Sequence, residues 1–586
     1  MACKAAAVPG KPARYMGPYK KDMALGMLLV ILESAFEMVI PILMSDIIDE
    51  GVAQKDIPNI LAIGGQMALC AVLALVTGLL YARYAARASY GFGARIRRAE
   101  YAKLQTYAFS NIDHFETSSL ITRMTTDVTV LQNAINGGFR PMVRGPAMLV
   151  LGVGLAFWMS PELAVVFFIC APVLGLVLFF VVRHIAPLYI KLQQAMDHLN
   201  NVVQECLTAI RAVKAFVRGE YEEEKFKAVN TELMDVSLMT FRTAVLNLPA
   251  FQLTMYAACV LILGLGGTMI LQGSLTVGRL TSFLSYVMQV MNSLMMISNV
   301  FLLMTRSLAS AHRVAEILDE PVALTSPENA ITEIPDGGIR FEHVSFKYHP
   351  DAAEYALADI DLAIQPGQTV GILGGTGSAK TTLVQLIPRL YDATKGRVLV
   401  GGHDVRDYDL AALRDAVGIV LQKNVLFSGT VRENLRWGDP EADDETLWAA
   451  CRAACADEFL SRMPGGLDAD LGQGGVNVSG GQKQRLCIAR TLLKKPKVLI
   501  FDDSTSAVDT ATEAKIRAAL RALPGVTKII IAQRITSVMG ADVIVVLEDG
   551  QIHAVGSHAE LLAADPIYQE IYHSQHKGGT EDGAVG

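Results

Sequence analysis

The chain has 586 residues, 52% of them hydrophobic and only 19% charged, with a formal net charge of −7. The length exceeds one ordinary domain, and a charged fraction below the roughly 25% usual in soluble proteins points to a membrane portion. The small acidic excess gives no reason to propose a nucleic acid as partner.

Taken in chain order, the first residues (MACKAAAVPGKPARYMGPYKKD) are basic but lack an apolar core followed by a small-residue cleavage site, so no signal peptide is expected. Lys4, Lys11, Arg14, Lys20 and Lys21 ahead of the first apolar run predict a cytoplasmic N-terminus. Apolar runs follow near 23–45, 60–85, 141–159, 161–182, 245–272 and 280–304. Each approaches the roughly 20 residues that cross a bilayer core. Ser160, Pro161 and Glu162 alone divide the third run from the fourth, which predicts a tight hairpin. The loops after the first, third and fifth runs are short and poor in Lys and Arg. Those after the second and fourth are long, one carrying Arg87, Arg95, Arg97, Arg98 and Lys103, the other Arg183, Lys191, Arg211, Lys214 and Arg218. That asymmetry places both long loops and both chain ends in the cytoplasm, in a multi-pass protein of the cytoplasmic (inner) membrane.

Within the first run, Glu33 and Glu37 lie four apart and share a helical face. Charges inside a bilayer are costly, and two readings stand: handling of a cation or proton, or pairing with a polar neighbour. The cysteines suggest no metal. Cys70, Cys170 and Cys259 sit in apolar runs, and Cys451 and Cys455 share one helix in the sequence reading, with no histidine or second pair to complete a zinc set.

The expected organisation is a cytoplasmic segment at 1–21, a six-helix transmembrane domain at 22–310 with long cytoplasmic extensions, and a linker at 311–335 containing the polar, proline-bearing TSPENAITEIPDGG. From 336 to 575, β-branched runs (GIRFEHVSFKY, QTVGILG, KVLIFDD, KIIIAQR, VIVVLEDG) alternate with helical stretches, the signature of an α/β domain with a largely parallel sheet. Residues 576–586 read as a disordered tail.

QTVGILG leads into GGTGSAKTT, close to G-x-x-x-x-G-K-[ST], followed by a helical run. Strand, glycine-rich loop and helix together define a phosphate-binding loop. Backbone N–H groups from Gly374, Gly375, Thr376, Gly377, Ser378 and Ala379 onward, with Lys380, Thr381 and Thr382, would hold the phosphates of a nucleotide, the Thr381 hydroxyl ligating Mg²⁺. Asp502, closing the apolar run KVLIFDD, is the expected carboxylate on that Mg²⁺. Gln422 follows another apolar run, AVGIVLQKN. Ser479, Gly480, Gly481 and Gln482 open a helix in NVSGGQKQRLCIAR, where free N–H groups suit a phosphate arriving from outside.

These motifs, in this order and after the apolar runs, resemble the ATP-binding cassette (ABC) exporters, over nearly the whole chain. VSGGQKQR is similar to that family's signature motif. The resemblance implies an exporter-type half-transporter that pairs with a second half. Each of two ATP molecules would then lie between one chain's phosphate loop and the other's signature. It further implies that Tyr348 stacks on adenine, although by itself it could equally be a strand residue packing its ring. Gln422 would join Thr381 and Asp502 at Mg²⁺, Asp509 would face the partner domain, and coupling helices would lie near SNIDHFETSS and VKAFVRGEY.

Three positions depart from the family pattern. Asp503 stands where a catalytic glutamate polarises water, Gln533 where a switch histidine contacts the γ-phosphate, and Ala379 where the loop has glycine. A carboxylate set back by one methylene, about 1–1.5 Å, can cost roughly 100-fold in rate. An amide cannot titrate as an imidazole does. Alanine at 379 is harmless if its φ is negative. The signature is nearly intact, Val478 replacing the commoner leucine, while Gln473 stands where glutamate is expected. The pattern is that of a degenerate-site subunit in a heterodimeric, bacterial multidrug-type exporter. The alternatives are an importer of exporter-type fold, a homodimer, or a regulatory membrane protein gated by ATP.

Overall fold

A computed structural model describes residues 14–503 and 509–577. Lys4, Lys11, residues 504–508 of the STSAVD motif and residues 578–586 of the tail lie outside the described residues. The chain forms two compact units. One runs to Gln105 and resumes from Thr117 to Glu320; the other combines Thr106–Glu116 with the chain from Pro321 onward.

The first unit is helical, its main helices being α1 (Lys20–Asp46), α2 (Ile57–Gln105), α3 (Phe139–Met159), α4 (Pro161–Thr208), α5 (Gly219–Ala244), α6 (Asn247–Leu271) and α7 (Val277–Asp319). Every apolar run of the sequence falls on one of these helices, the run at 245–272 overrunning α6 by two residues at its start and one at its end. Five stretches among the described residues are long and apolar enough to cross a membrane, and the run expected at 161–182 is represented by a shorter one, Pro161–Val177. Large apolar side chains face outward: Leu61 is 71% and Val260 68% exposed. Contiguous apolar surface of this kind needs lipid or another chain to cover it.

The expected hairpin forms because Ser160 caps α4, its hydroxyl accepting from the Leu163 N–H, with Pro161 at the first helical position where no N–H is needed. Pro41 removes a backbone bond from α1. Two α7 hydroxyls bond to α1 carbonyls at that level: Ser282 to Pro41, and Tyr286 to Met38 at 2.8 Å. In the helical extensions the Arg313 guanidinium and the Ser310 hydroxyl both bond to buried Asp127. A short helix, Ile210–Ala215, carries no buried residue, and Phe216 and Val217 after it are 78% and 87% exposed.

The second unit holds two sheets. β1 (Ile339–Phe346), β2 (Leu357–Ile364), β4 (Lys395–Val400) and β5 (His403–Asp404) form an antiparallel sheet ordered β2-β1-β4-β5. The other is ordered β10-β9-β3-β8-β7-β6, from β3 (Thr369–Gly374), β6 (Val417–Val420), β7 (Val498–Asp502), β8 (Thr527–Ile531), β9 (Val543–Glu548) and β10 (Gln551–Gly556). It is parallel except for β10. Strands covered on both faces read as continuous apolar runs, and all five residues of β7 are buried. β1, in contrast, alternates buried and exposed positions.

The one-turn helix Phe109–Asp113 packs within this second unit. The Tyr391 hydroxyl donates to Asp113 Oδ2 at 2.7 Å, and Phe109 meets the Tyr391 ring at 6.1 Å. Asn111 donates to the Pro321 carbonyl and accepts from the Ala323 N–H. One cysteine reading is corrected: Cys455 lies past the end of the helix Asp444–Ala453 with φ +54°, so it does not continue the face that carries Cys451.

Candidate nucleotide site

The site lies at the carboxyl ends of neighbouring parallel strands β3, β8 and β7, where open α/β sheets bind ligands. β3 ends at Gly374, whose φ is +159°; a Cβ there would stand 2.2 Å from the Leu547 carbonyl oxygen, so only glycine fits. The loop then opens helix α8 (Lys380–Gln385). Lys380 Nζ reaches back to the carbonyls of Gly374 and Gly375 at 2.9 and 2.6 Å, and to Ser378 Oγ at 3.2 Å. Burial lowers the lysine pKa, opposed by the charges of Asp503 and Asp502.

The cap of α8 is Ala379, with φ +65° and ψ 25°. The condition for a harmless alanine is therefore not met: the residue is left-handed, the conformation that the usual glycine adopts at no steric cost.

Thr381 Oγ1 donates to Asp502 Oδ1 at 2.8 Å. Asp502 is buried, which raises its pKa, and the Thr381 bond works against that rise. Next to it, Gln533 Nε2 donates to Asp503 Oδ2 at 2.8 Å. Burial raises the Asp503 pKa, with Lys380 and the hydrogen bonds from Gln533 and Gln422 acting in the opposite sense. Tyr348 lies just beyond β1, with its hydroxyl 2.9 Å from Thr382 Oγ1 and its ring edge-on to Phe346 and Tyr391. It packs on its neighbours and still keeps 43% of its surface exposed.

A cavity of about 360 Å³ gathers Tyr348, Thr376, Gly377, Ala379, Lys380, Thr381, Thr382, Gln422, Asp502, Asp503 and Gln533. Ala356 and Ile531 complete its wall; neither carries a motif, and no local sequence signal marks them. The hydroxyl, carboxylate and amide oxygens of Thr381, Asp502 and Gln422 form a hard-oxygen set suited to Mg²⁺. Their place beside a phosphate-binding loop fits a nucleotide-bound cation. Such an ion would neutralise developing charge on the phosphates.

Ser479, Gly480, Gly481 and Gln482 do not line that cavity. Ser479 caps helix α9 (Gly480–Leu493) in a reciprocal box: its hydroxyl accepts from the Gln482 N–H, and Gln482 Oε1 accepts from the Ser479 N–H at 2.8 Å. Ser479 and Gly480 are exposed at the helix start. Gln473 lies in a short turn with Gly474 left-handed. Asp509 caps helix α10 (Thr510–Arg521), accepting from Thr512 N–H at 2.9 Å, which lowers its pKa.

A helical membrane unit joined to an α/β unit with a phosphate-binding loop and a separate serine–glycine helix start defines an ATP-driven membrane transporter. The chain matches the ABC transporter transmembrane region over residues 23–294 and the ABC transporter ATPase region over 357–506. It is 37% identical over 565 residues to the uncharacterized ABC transporter ATP-binding protein YfiB of Bacillus subtilis (strain 168), covering 96% of this chain and 98% of that protein. It is 31% identical to the ATP-dependent lipid A-core flippase of Desulfotalea psychrophila (strain LSv54 / DSM 12343), covering 95% and 97%. Its fold is similar to a bacterial Atm1-family ABC exporter solved with ATP bound, with TM-score 0.80, 24% identity and 95% and 98% coverage. The chain belongs to the ABC transporter family, with membrane and ATPase regions in one polypeptide.

Proposed function

We propose that this chain is one half of a heterodimeric ABC exporter, six-spanning with its domains bounded at residues 22–310 and 336–575 and both termini cytoplasmic. Its own site, on Lys380, Thr381, Gln422 and Asp502, binds ATP with Mg²⁺ and turns it over slowly. Its signature, Ser479, Gly480, Gly481 and Gln482, completes the hydrolytic site of the partner. The observation that carries this reading is the Gln533–Asp503 bond at 2.8 Å. The two departures from the catalytic pattern satisfy each other, and the amide occupies one oxygen of a shortened carboxylate that would otherwise hold water. The signature helix start stands outside the chain's own cavity, which supports a second chain as the source of each missing half.

ATP binding closes the two ATPase domains, turns the spans outward, and hydrolysis resets them. The segments Phe109–Asp113 and Ile210–Ala215 act as coupling helices in this scheme. Relatives named as a lipid A-core flippase and a putative multidrug exporter favour an amphipathic cargo.

The test compares ATP hydrolysis by the purified chain alone and with a candidate second half-transporter carrying the glutamate and histidine. Slow turnover alone, and fast turnover that Ser479→Arg abolishes in the pair, is expected. Robust hydrolysis by this chain alone would sink the heterodimer. ATP-dependent accumulation in inside-out vesicles marks export and accumulation in right-side-out vesicles marks import, whereas accumulation in neither leaves ATP as a gating ligand.

A further inference from the structure

A cavity of about 740 Å³ lies within the membrane unit, in the size range of small-ligand sites. Five methionines make up most of its apolar wall: Met44, Met67, Met148, Met295 and Met296. Methionine is flexible and polarisable, so such a wall adapts to apolar tails of varied shape.

The polar end is a charge cluster. Arg144 bonds to Glu33 Oε1 at 3.1 Å, to Glu37 Oε2 at 2.5 Å and, through Nε, to Met148 Sδ at 3.3 Å. Arg140 bonds to Glu33 from the other side. Glu33 does not line the cavity and is buried, its side chain 4% exposed, whereas those of Glu37 and Arg144 are 30% and 20% exposed and line it. The two carboxylates and two guanidiniums sum to zero charge. Two of the guanidinium's five N–H groups remain uncommitted, as does Glu37 Oε1 among the described residues. Gln289 adds to the same lining a buried amide oxygen without a partner among the described residues.

A ligand of one sign would add an uncompensated charge to this neutral cluster at membrane depth, which is costly. A zwitterion adds none, because its cation meets Glu37 Oε1 while its anion takes the open N–H groups of Arg144. We propose that this cavity binds a zwitterionic amphiphile, with Glu37 and Arg144 as the residues that select its headgroup. The proposal rests on the transporter reading above and names the class of cargo.

The test uses the full-length protein in nanodiscs without nucleotide, titrated with dodecylphosphoethanolamine, dodecylamine and dodecyl phosphate, with bound ligand counted by native mass spectrometry. The zwitterion binds about tenfold or more tighter than either the cationic or the anionic probe, a difference set by the cost of at least one uncompensated charge. Glu37→Gln shifts the preference to dodecyl phosphate and Arg144→Gln shifts it to dodecylamine. A merely structural role for either residue would not produce opposite shifts. Displacement of dodecylphosphoethanolamine by free trileucine assigns the site to a peptide-like zwitterion from water, and no displacement assigns it to a lipid headgroup. Equal binding of the three dodecyl probes to the unsubstituted protein overturns the proposal, as does an equal loss of all three in both variants. Because binding is read without ATP, a failure of export or pairing is told apart from a failure of this site.

Discussion

Gln533 and Asp503, thirty residues apart in sequence, are joined by a hydrogen bond of 2.8 Å from Nε2 to Oδ2. Two departures that look independent in the sequence are one structural unit. Reverting either alone changes the geometry of the bond that the other makes, so their effects on ATP turnover are coupled. Asp503→Glu is expected to raise hydrolysis at this site by about tenfold or more, since a carboxylate displaced by about 1 Å can cost 100-fold. Asp503→Glu with Gln533→His should exceed the product of the single gains, measured as steady-state ATPase of the pair with the partner's site silenced by Ser479→Arg.

Ala379→Gly should change that rate less than Asp503→Glu, because the carbonyls and Ser378 that hold Lys380 are unaffected by the substitution. Its effect falls on local stability. A left-handed alanine costs about 1–2 kcal/mol relative to a permissive residue. Hydrogen exchange of the α8 amides should therefore slow by roughly five- to thirtyfold in the glycine variant. An ATPase gain equal to that of Asp503→Glu would instead put the obstruction in the loop.

Tyr391 ties residues 106–116 to the ATPase unit through its bond to Asp113. Burial raises its phenol pKa, and the bond to the carboxylate adds to the rise, so it remains a donor at physiological pH. Tyr391→Phe removes a hydrogen bond to a charged group, of order 1.5–3 kcal/mol. Faster hydrogen exchange across 106–116, with unchanged ATP affinity, is the expected result. A drop in ATP affinity as large as the loss of protection would assign Tyr391 to nucleotide binding through Tyr348.

His343 stands 3.0 Å from both Asp359 and Asp361. The hydrogen bond to Asp359 and the charge of Asp361 raise its pKa above the ordinary 6.5. A raised folded-state value means the imidazolium favours folding. Its contribution is complete below pH 6.5 and fades as pH climbs through the higher folded value. The ATPase unit should unfold at a higher denaturant midpoint near about pH 6 than near about pH 8.5. His343→Asn, which tolerates the φ of +48° at that position, should shrink the difference.

Local chemistry made much of this protein legible in one dimension. Apolar runs of membrane length, β-branched strand runs, the phosphate loop and the serine–glycine helix start depend on neighbours a few residues away, so residue type and spacing specify them. Even the Ser160 hairpin follows from a cap and a proline in adjacent positions. The partners of Glu33 and Glu37 had a readable sign as well: Arg140 and Arg144 are also four apart, on a helix face of their own.

Tertiary structure alone decided the rest. It separated the run GIRFEHVSFKY from the other strand runs and placed it in an antiparallel sheet, because sheet membership is set by non-local pairing and burial. Ala379 took a positive φ because the fold closes the loop onto α8, a demand that residue identity does not express. The same long-range packing brought Gln533 onto Asp503 and seated two glutamates against two arginines. The sequence determined which groups this protein carries; only the fold determined which of them neutralise one another, since burial makes an unpaired charge or donor too costly to leave alone.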